Sequence, residues 1–171
     1  VIAVIFAGLL FGSLPLAKIK REISVLWPAT LALMVTTYSF YALAPGLVKT
    51  IYLFTYANAA LLGANLFLWL IFRSWNGKPK PIHFLAIGMI VLGFIVFSSW
   101  FRHVGSFPAR TYVIVIPVVL VMCAQLWEMH KAIKIRKSIQ LQIFAFTTAL
   151  EITLFISRAV SLYINDQAGM V

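Results

Sequence analysis

Residues 82–101 read IHFLAIGMIVLGFIVFSSWF, a run of twenty residues without a charged side chain. An α-helix rises 1.5 Å per residue, so this run spans about 30 Å, the thickness of the hydrocarbon core of a bilayer. Lipid offers no hydrogen-bond partner for backbone N–H and C=O groups, so such a segment crosses the membrane as a helix. The stretch therefore predicts a transmembrane helix.

Similar apolar runs fill the rest of the chain and are separated by polar or turn-forming residues. We predict six spans, at residues 1–16, 23–44, 50–72, 82–101, 109–128 and 139–164. Of the 171 residues, 63% are apolar and 11% are charged, against roughly 45–50% and 25% in soluble domains. The predicted fold is all-α, a single polytopic transmembrane bundle over residues 1–171. Because the chain begins inside an apolar run without Met, we expect a longer protein, with a seventh span after residue 171.

The basic residues predict how the bundle is oriented. Ten of the fourteen Lys and Arg follow the first, third and fifth spans, whereas Lys49, Arg102 and Arg110 lie on the opposite side. The positive-inside rule then predicts an N-terminus outside and basic loops in the cytoplasm. The net charge of +10 is explained by loops that touch anionic headgroups. The expected partner is the lipid bilayer, and no nucleic acid is needed.

Two ionisable residues lie within the sixth span and are candidates for a ligand or signal site. Glu151 is near its middle, and Arg158 follows two turns later on the same helical face. Ionisable groups at membrane depth are costly, so they usually face a partner, a cavity or the bundle interior. The alternatives are a neutral or hydrogen-bonded Glu151 and an Arg158 that extends to the outer headgroups.

Further candidates lie in the third span and at the predicted outer edge. Asn58 and Asn65 are seven residues apart on one face, and they either contribute to a site or form interhelical hydrogen bonds. Trp100, His103 and Arg110 belong to an aromatic and basic cluster. This cluster is either an interfacial belt or the mouth of a pocket for an acidic or amphiphilic ligand.

Catalytic, metal and cofactor sites are not predicted. The sequence has no Ser/His/Asp or Cys/His set and no phosphate loop, and its single cysteine excludes a disulfide framework. Haem needs two histidines that face each other across one ring. His83 and His130 are the only pair at similar depth, and this pair is a weak basis, so we expect no cofactor.

Residues 65–160 carry a pattern that resembles a known family of membrane regions. NLFLWLIFR at 65–73 closes a span, FPAR at 107–110 opens another, and a basic segment at 131–137 leads into a helix with SRA at 157–159. The arrangement is similar to the seven-helix N-terminal sensor regions of bacterial diguanylate cyclases (GGDEF proteins) and related receptors. The resemblance implies a homodimer in a bacterial inner (plasma) membrane, with a C-terminal cytoplasmic output domain that joins two GTP molecules into cyclic di-GMP. Sensor regions of histidine kinases look similar, so the output type stays open.

The leading functional hypothesis is therefore a membrane domain that senses an unknown small-molecule or membrane-derived signal and regulates that output domain. One alternative is a transporter or channel subunit in which the polar residues of the third and sixth spans line a substrate path. A third is a structural or cofactor-bearing subunit of a membrane complex.

Overall fold

A computed structural model describes residues 21–43, 50–104, 107–137 and 139–168. It contains five helices: α1 (Arg21–Leu43), α2 (Thr50–Ser74), α3 (Pro81–Val104), α4 (Phe107–Arg136) and α5 (Ile139–Ala168). All secondary-structure elements among the described residues are α-helices, which confirms the predicted all-α class. Each helix contains a segment that is long and apolar enough to cross a membrane.

The structure shows five such helices where six spans were predicted. Helices α1 to α5 correspond to the second to sixth predicted spans, and their first and last residues differ from the predicted limits by only a few positions, except at the end of α4. The first predicted span, residues 1–16, lies outside the described residues. The seventh span stays a prediction.

Helix α2 is the centre of the bundle. Its membrane-crossing segment is 67% buried, compared with 11% in α3 and 6% in α5. It packs against α1, α3 and α4, whereas α5 packs against α4. The core between α2 and α4 includes Leu62, Leu66, Val118 and Met122. The exposed apolar faces of α3 and α5 are what a bilayer would cover.

Helix α2 lies close to both α1 and α3 at Gly63. A methyl group added to Gly63 would lie 3.4 Å from Leu33 Cδ1 in α1 and 3.7 Å from Val91 Cγ2 in α3. Small residues let membrane helices approach closely, which matters because the lipid is as apolar as the side chains and no hydrophobic force drives the helices together. A methyl group at Gly63 would therefore make ordinary van der Waals contacts, whereas a larger side chain would have to displace Leu33 or Val91.

The start of α3 is defined by local hydrogen bonds. Pro81 occupies the first helical position, where its missing N–H costs nothing. The backbone N–H of Lys80 donates to Nδ1 of His83 at 2.9 Å, and the N–H of His83 donates to the carbonyl of Lys80 at 2.9 Å. His83 thus has the role that Glu or Gln plays in a capping box.

Helix α4 continues eight residues beyond the predicted span, to Arg136. Met129 and Ala132 in this extension are buried, so the basic segment is amphipathic and packs against the bundle. Lys137 ends the helix with φ of 46°, and its N–H donates to the carbonyl of Ile133 at 2.9 Å. This left-handed residue is a helix C-cap that usually favours glycine, and α5 begins two residues later.

Candidate functional site

A cavity of about 400 Å³ lies where the C-terminal parts of α1, α3 and α5 meet the N-terminal parts of α2 and α4. We call it the five-helix cavity, since every described helix contributes to its wall. Three of its apolar lining residues are phenylalanines, Phe54, Phe101 and Phe155. Its polar lining residues are Tyr41, Thr55, Asn58, Ser98, Arg110, Thr111 and Arg158.

The wall between α1 and α2 is fixed by a hydrogen bond. The Tyr41 hydroxyl donates to Oδ1 of Asn58, and the Tyr41 ring lies 5.9 Å from the Phe54 ring, centroid to centroid. This bond occupies the acceptor side of the Asn58 amide, so the other side carries its two N–H donors. Asn58 itself is buried, so the hydrogen bond satisfies a buried polar group of the wall.

Thr55 differs from the other threonines in the bundle. Six of the described threonines donate their hydroxyl to the carbonyl four residues earlier in the same helix: Thr30, Thr36, Thr37, Thr147, Thr148 and Thr153. Thr55 is 3% exposed, and in the described structure its Oγ1 is buried without a hydrogen-bond partner. A buried, unsatisfied hydroxyl costs roughly 1–3 kcal/mol. A bound molecule that reached Thr55 would remove this cost.

Two arginines give the cavity a positive charge. Arg110 lies near the start of α4, and Arg158 lies near the end of α5, one turn after Phe155. No Asp or Glu lines the cavity in the described part of the chain. The two helices are joined here, because the Tyr112 hydroxyl donates to the carbonyl of Ala159 at 3.1 Å. The arrangement can attract and orient an anion.

The structure brings together three of the seven predicted site residues, namely Asn58, Arg110 and Arg158. Glu151 is exposed on α5 and does not line the cavity, although the sequence placed it on one helical face with Arg158. No ion pair between described residues joins the two.

Asn65 forms interhelical hydrogen bonds, which is one of the two roles that the sequence left open for it. Nε2 of Gln125 in α4 donates to the Asn65 carbonyl at 2.8 Å and to its Oδ1 at 3.1 Å. Nδ2 of Asn65 donates to the carbonyl of Leu61 at 3.0 Å. Asn65 therefore connects α2 to α4 inside the bundle, away from the cavity lining.

The aromatic cluster near the end of α3 lies mostly on the surface. Trp100 is 61% exposed, and its ring lies 6.1 Å from Phe97 and 6.4 Å from Phe101. Of these residues, Phe101 alone lines the cavity. The side chain of His103 lies outside the described part of the chain.

A second polar site, not predicted from the sequence, lies at the opposite end of α2 and α4. The Glu128 side chain is 5% exposed and lies 3.1 Å from Nη1 of Arg73 and 3.7 Å from Nζ of Lys131, measured from its Oε1. Asn76 Nδ2 donates to Glu128 Oε2 at 2.7 Å and to its carbonyl at 2.9 Å. We call these four residues the Glu128 cluster. The i, i+3 spacing of Glu128 and Lys131 was the only sequence signal for it.

Aromatic rings support the cations of the Glu128 cluster. Cζ of Arg73 lies 5.6 Å from the centroid of the Trp69 ring, and Nζ of Lys131 lies 5.0 Å from that of Trp127. Both distances are within the range of cation–π attraction. The rings of Trp69 and His83 form a T-shaped pair, with centroids 5.8 Å apart.

The structure shows where the two histidines considered as haem ligands lie. His83 uses Nδ1 as the acceptor in the α3 cap, and His130 is exposed on α4. Within the described residues, no three His, Cys, Asp or Glu side chains form a group that could hold a metal ion. The expectation of no cofactor stays a prediction.

No protein-family model, curated protein or solved structure matches this chain. The resemblance to sensor regions of GGDEF proteins therefore rests on the sequence pattern alone.

Proposed function

We propose that this chain is a membrane signal-sensing domain whose five-helix cavity receives the signal molecule. The cavity itself carries the proposal, because all five helices line it. A molecule bound there would contact several helices at once, so its affinity would depend on their relative positions. A ligand shifts a conformational equilibrium only through unequal affinity for the two states. A cavity shared by several helices changes shape when the helices move, so the affinity of the ligand would differ between the two states.

The Glu128 cluster supports a route for the signal. Arg110 and Glu128 are eighteen residues apart on α4, which is about 27 Å along a helix. The cavity and the cluster thus lie near opposite ends of the same pair of helices, α2 and α4. With the orientation proposed from the basic residues, the cavity opens outside and the cluster lies on the cytoplasmic side. The regulated output would be a homodimeric cytoplasmic domain, by resemblance a diguanylate cyclase.

A substitution that fills the cavity tests this coupling without knowledge of the ligand. Spin labels are attached at Lys78→Cys and Lys134→Cys, both exposed near the Glu128 cluster, with Cys123→Ser removing the native thiol. We expect Thr55→Trp to shift the label-to-label distance by about 2 Å, the size of typical helix shifts at interfaces. Thr153→Trp, on the exposed face of α5, is the matched control and should leave the distance unchanged.

The outcome that counts against sensing is an unchanged distance in a folded Thr55→Trp protein. Ser98→Phe is a second way to fill the cavity from α3 and guards against a variant that does not fold. If both variants fold and neither moves the labels, the cavity and the cluster are not coupled.

Transport is the second candidate function, and a specific observation favours it. Buried polar residues follow the α2–α4 interface from the cavity to the opposite end, in the order Thr55, Asn58, Asn65 with Gln125, and Glu128. A polar path of this kind is what a substrate or ion would use. Buried Leu62 and Met122 interrupt the path, which is why sensing is preferred. Uptake of a labelled solute into vesicles that contain the chain would reverse this preference.

A further inference from the structure

We infer that the ligand of the five-helix cavity is an amphiphilic anion, with a carboxylate or phosphate head near Arg110 and Arg158 and an apolar body among the phenylalanines. The inference rests on the proposed function and gives the chemical class of the signal molecule. It is carried by three properties of the cavity, namely its charge, its unsatisfied hydroxyl and its apolar wall.

The charge of the lining selects an anion. Both ionised lining residues are arginines, from α4 and α5. Two ion pairs are found among the described residues, and Glu128 forms both of them, one with Arg73 and one with Lys131. Arg158 takes part in neither pair. A guanidinium presents a planar fork of N–H donors that matches carboxylate and phosphate oxygens.

The hydroxyl of Thr55 adds a neutral hydrogen-bonding group from α2 to the lining of the same cavity. Thr55 is almost fully buried and its Oγ1 lacks a partner in the described structure. By contrast, the hydroxyls of six other threonines donate to backbone carbonyls of their own helices. Oxygen atoms of an anionic head accept hydrogen bonds from both N–H and O–H groups. The Thr55 hydroxyl and the two guanidinium groups are therefore all hydrogen-bond donors suited to an anionic head group.

The remaining wall selects an apolar body. Phe54, Phe101 and Phe155 come from three different helices, and aliphatic residues of α4 complete the surface. The volume of about 400 Å³ is within the 300–1,000 Å³ typical of small-molecule sites. A small inorganic anion would leave this apolar surface unfilled. An amphiphile satisfies both halves of the cavity.

A binding titration tests the chemical class directly. The chain is placed in nanodiscs of phosphatidylcholine, and decanoate, decanamide, decyltrimethylammonium and acetate are titrated by calorimetry. We expect decanoate to bind at least tenfold more tightly than decanamide, because the amide lacks the charge, and more tightly than acetate, because acetate lacks the chain. The cationic amphiphile should not bind.

Variants locate the binding site. Arg158→Gln should weaken decanoate binding at least tenfold, and Thr55→Val, which removes only the hydroxyl, should weaken it severalfold. Lys134→Gln removes the same charge from an exposed position of α4, near the other end, and should leave the affinity unchanged. Equal losses in Arg158→Gln and Lys134→Gln would mean nonspecific charge attraction and would overturn the inference.

A second arm distinguishes a free amphiphile from a membrane lipid as the source of the head group. The titration is repeated in nanodiscs that contain phosphatidylglycerol. If an anionic lipid occupies the cavity, decanoate affinity falls and the lipid stays bound in native mass spectrometry; if the ligand is a free amphiphile, the affinity is unchanged. Both results support an anion site.

The failures of the two proposals are distinguishable. If decanamide or the cationic amphiphile binds as tightly as decanoate, the anion class is wrong, but the sensing function survives. If Thr55→Trp also fails to move the spin labels, the sensing function fails as well.

Discussion

Replacement of Glu128 by glutamine is the most direct test of the packing described above. The glutamine keeps an oxygen that can accept from Asn76, but it loses the negative charge and turns an N–H₂ group toward either Arg73 or Asn76. Hydrogen bonds to a charged group contribute about 1.5–3 kcal/mol. Arg73 is 37% exposed, so solvent screens part of the ion pair. We expect the free energy of unfolding to fall by about 1–2 kcal/mol.

Thermal unfolding in detergent measures this effect. For a chain of this size, 1 kcal/mol corresponds to about 2–4 °C in Tm, so Glu128→Gln should melt about 2–8 °C below the unmodified protein. Glu151→Gln is the matched control, since it makes the same chemical change at a carboxylate on α5 that is in neither ion pair found among the described residues. Glu151 lies within a membrane-crossing segment, where a charge is costly, so its neutralisation should not lower Tm.

A double-mutant cycle assigns the loss to the pair. If Arg73 and Glu128 interact, Arg73→Gln combined with Glu128→Gln should cost less than the sum of the single changes. Equal melting of Glu128→Gln and Glu151→Gln, or strict additivity in the cycle, would refute the reasoning that the cluster joins α2 to α4.

Three further outcomes follow from the packing and backbone of the described helices. Gln125→Leu removes both hydrogen bonds to α2 and should destabilise the bundle by about 0.6–1.7 kcal/mol in unfolding titrations, the range for such bonds in membranes. Gly63→Leu should lower Tm because it forces α1 and α3 apart, whereas Gly93→Leu, with open space around it, should leave Tm unchanged. Lys137→Gly should raise the unfolding free energy by about 1 kcal/mol by relieving the left-handed backbone, while Lys134→Gly, inside α4, should lower it by a similar amount.

The positions of the helices could be predicted from the sequence, whereas their contacts could not. Apolar runs bounded by charges locate α1 to α5 because membrane-crossing length is a one-dimensional property. The end of α4 was missed because its basic residues look like a loop until Met129 and Ala132 are seen to pack against the bundle.

The residues of the candidate site could be predicted only in part. Arg158, Arg110 and Asn58 stand out because polar groups are rare in apolar helices, and the structure joins them in one cavity. That the Thr55 hydroxyl lacks a partner could not be predicted, since an unsatisfied hydroxyl is a property of its three-dimensional surroundings. The partners of Glu128 depend on which helices are neighbours, and spacing along one helix does not specify that.

The short connection after α4 restricts how α5 can move. Only residues 137 and 138 separate the two helices, so three Cα–Cα steps of about 3.8 Å, about 11 Å at full extension, join the last residue of α4 to the first residue of α5. A piston-like displacement of α5 by a full turn of about 5.4 Å would use about half of that length. The connection therefore limits how far α5 can slide along its axis relative to α4, while a hinge-like swing about the connection leaves α4 in place.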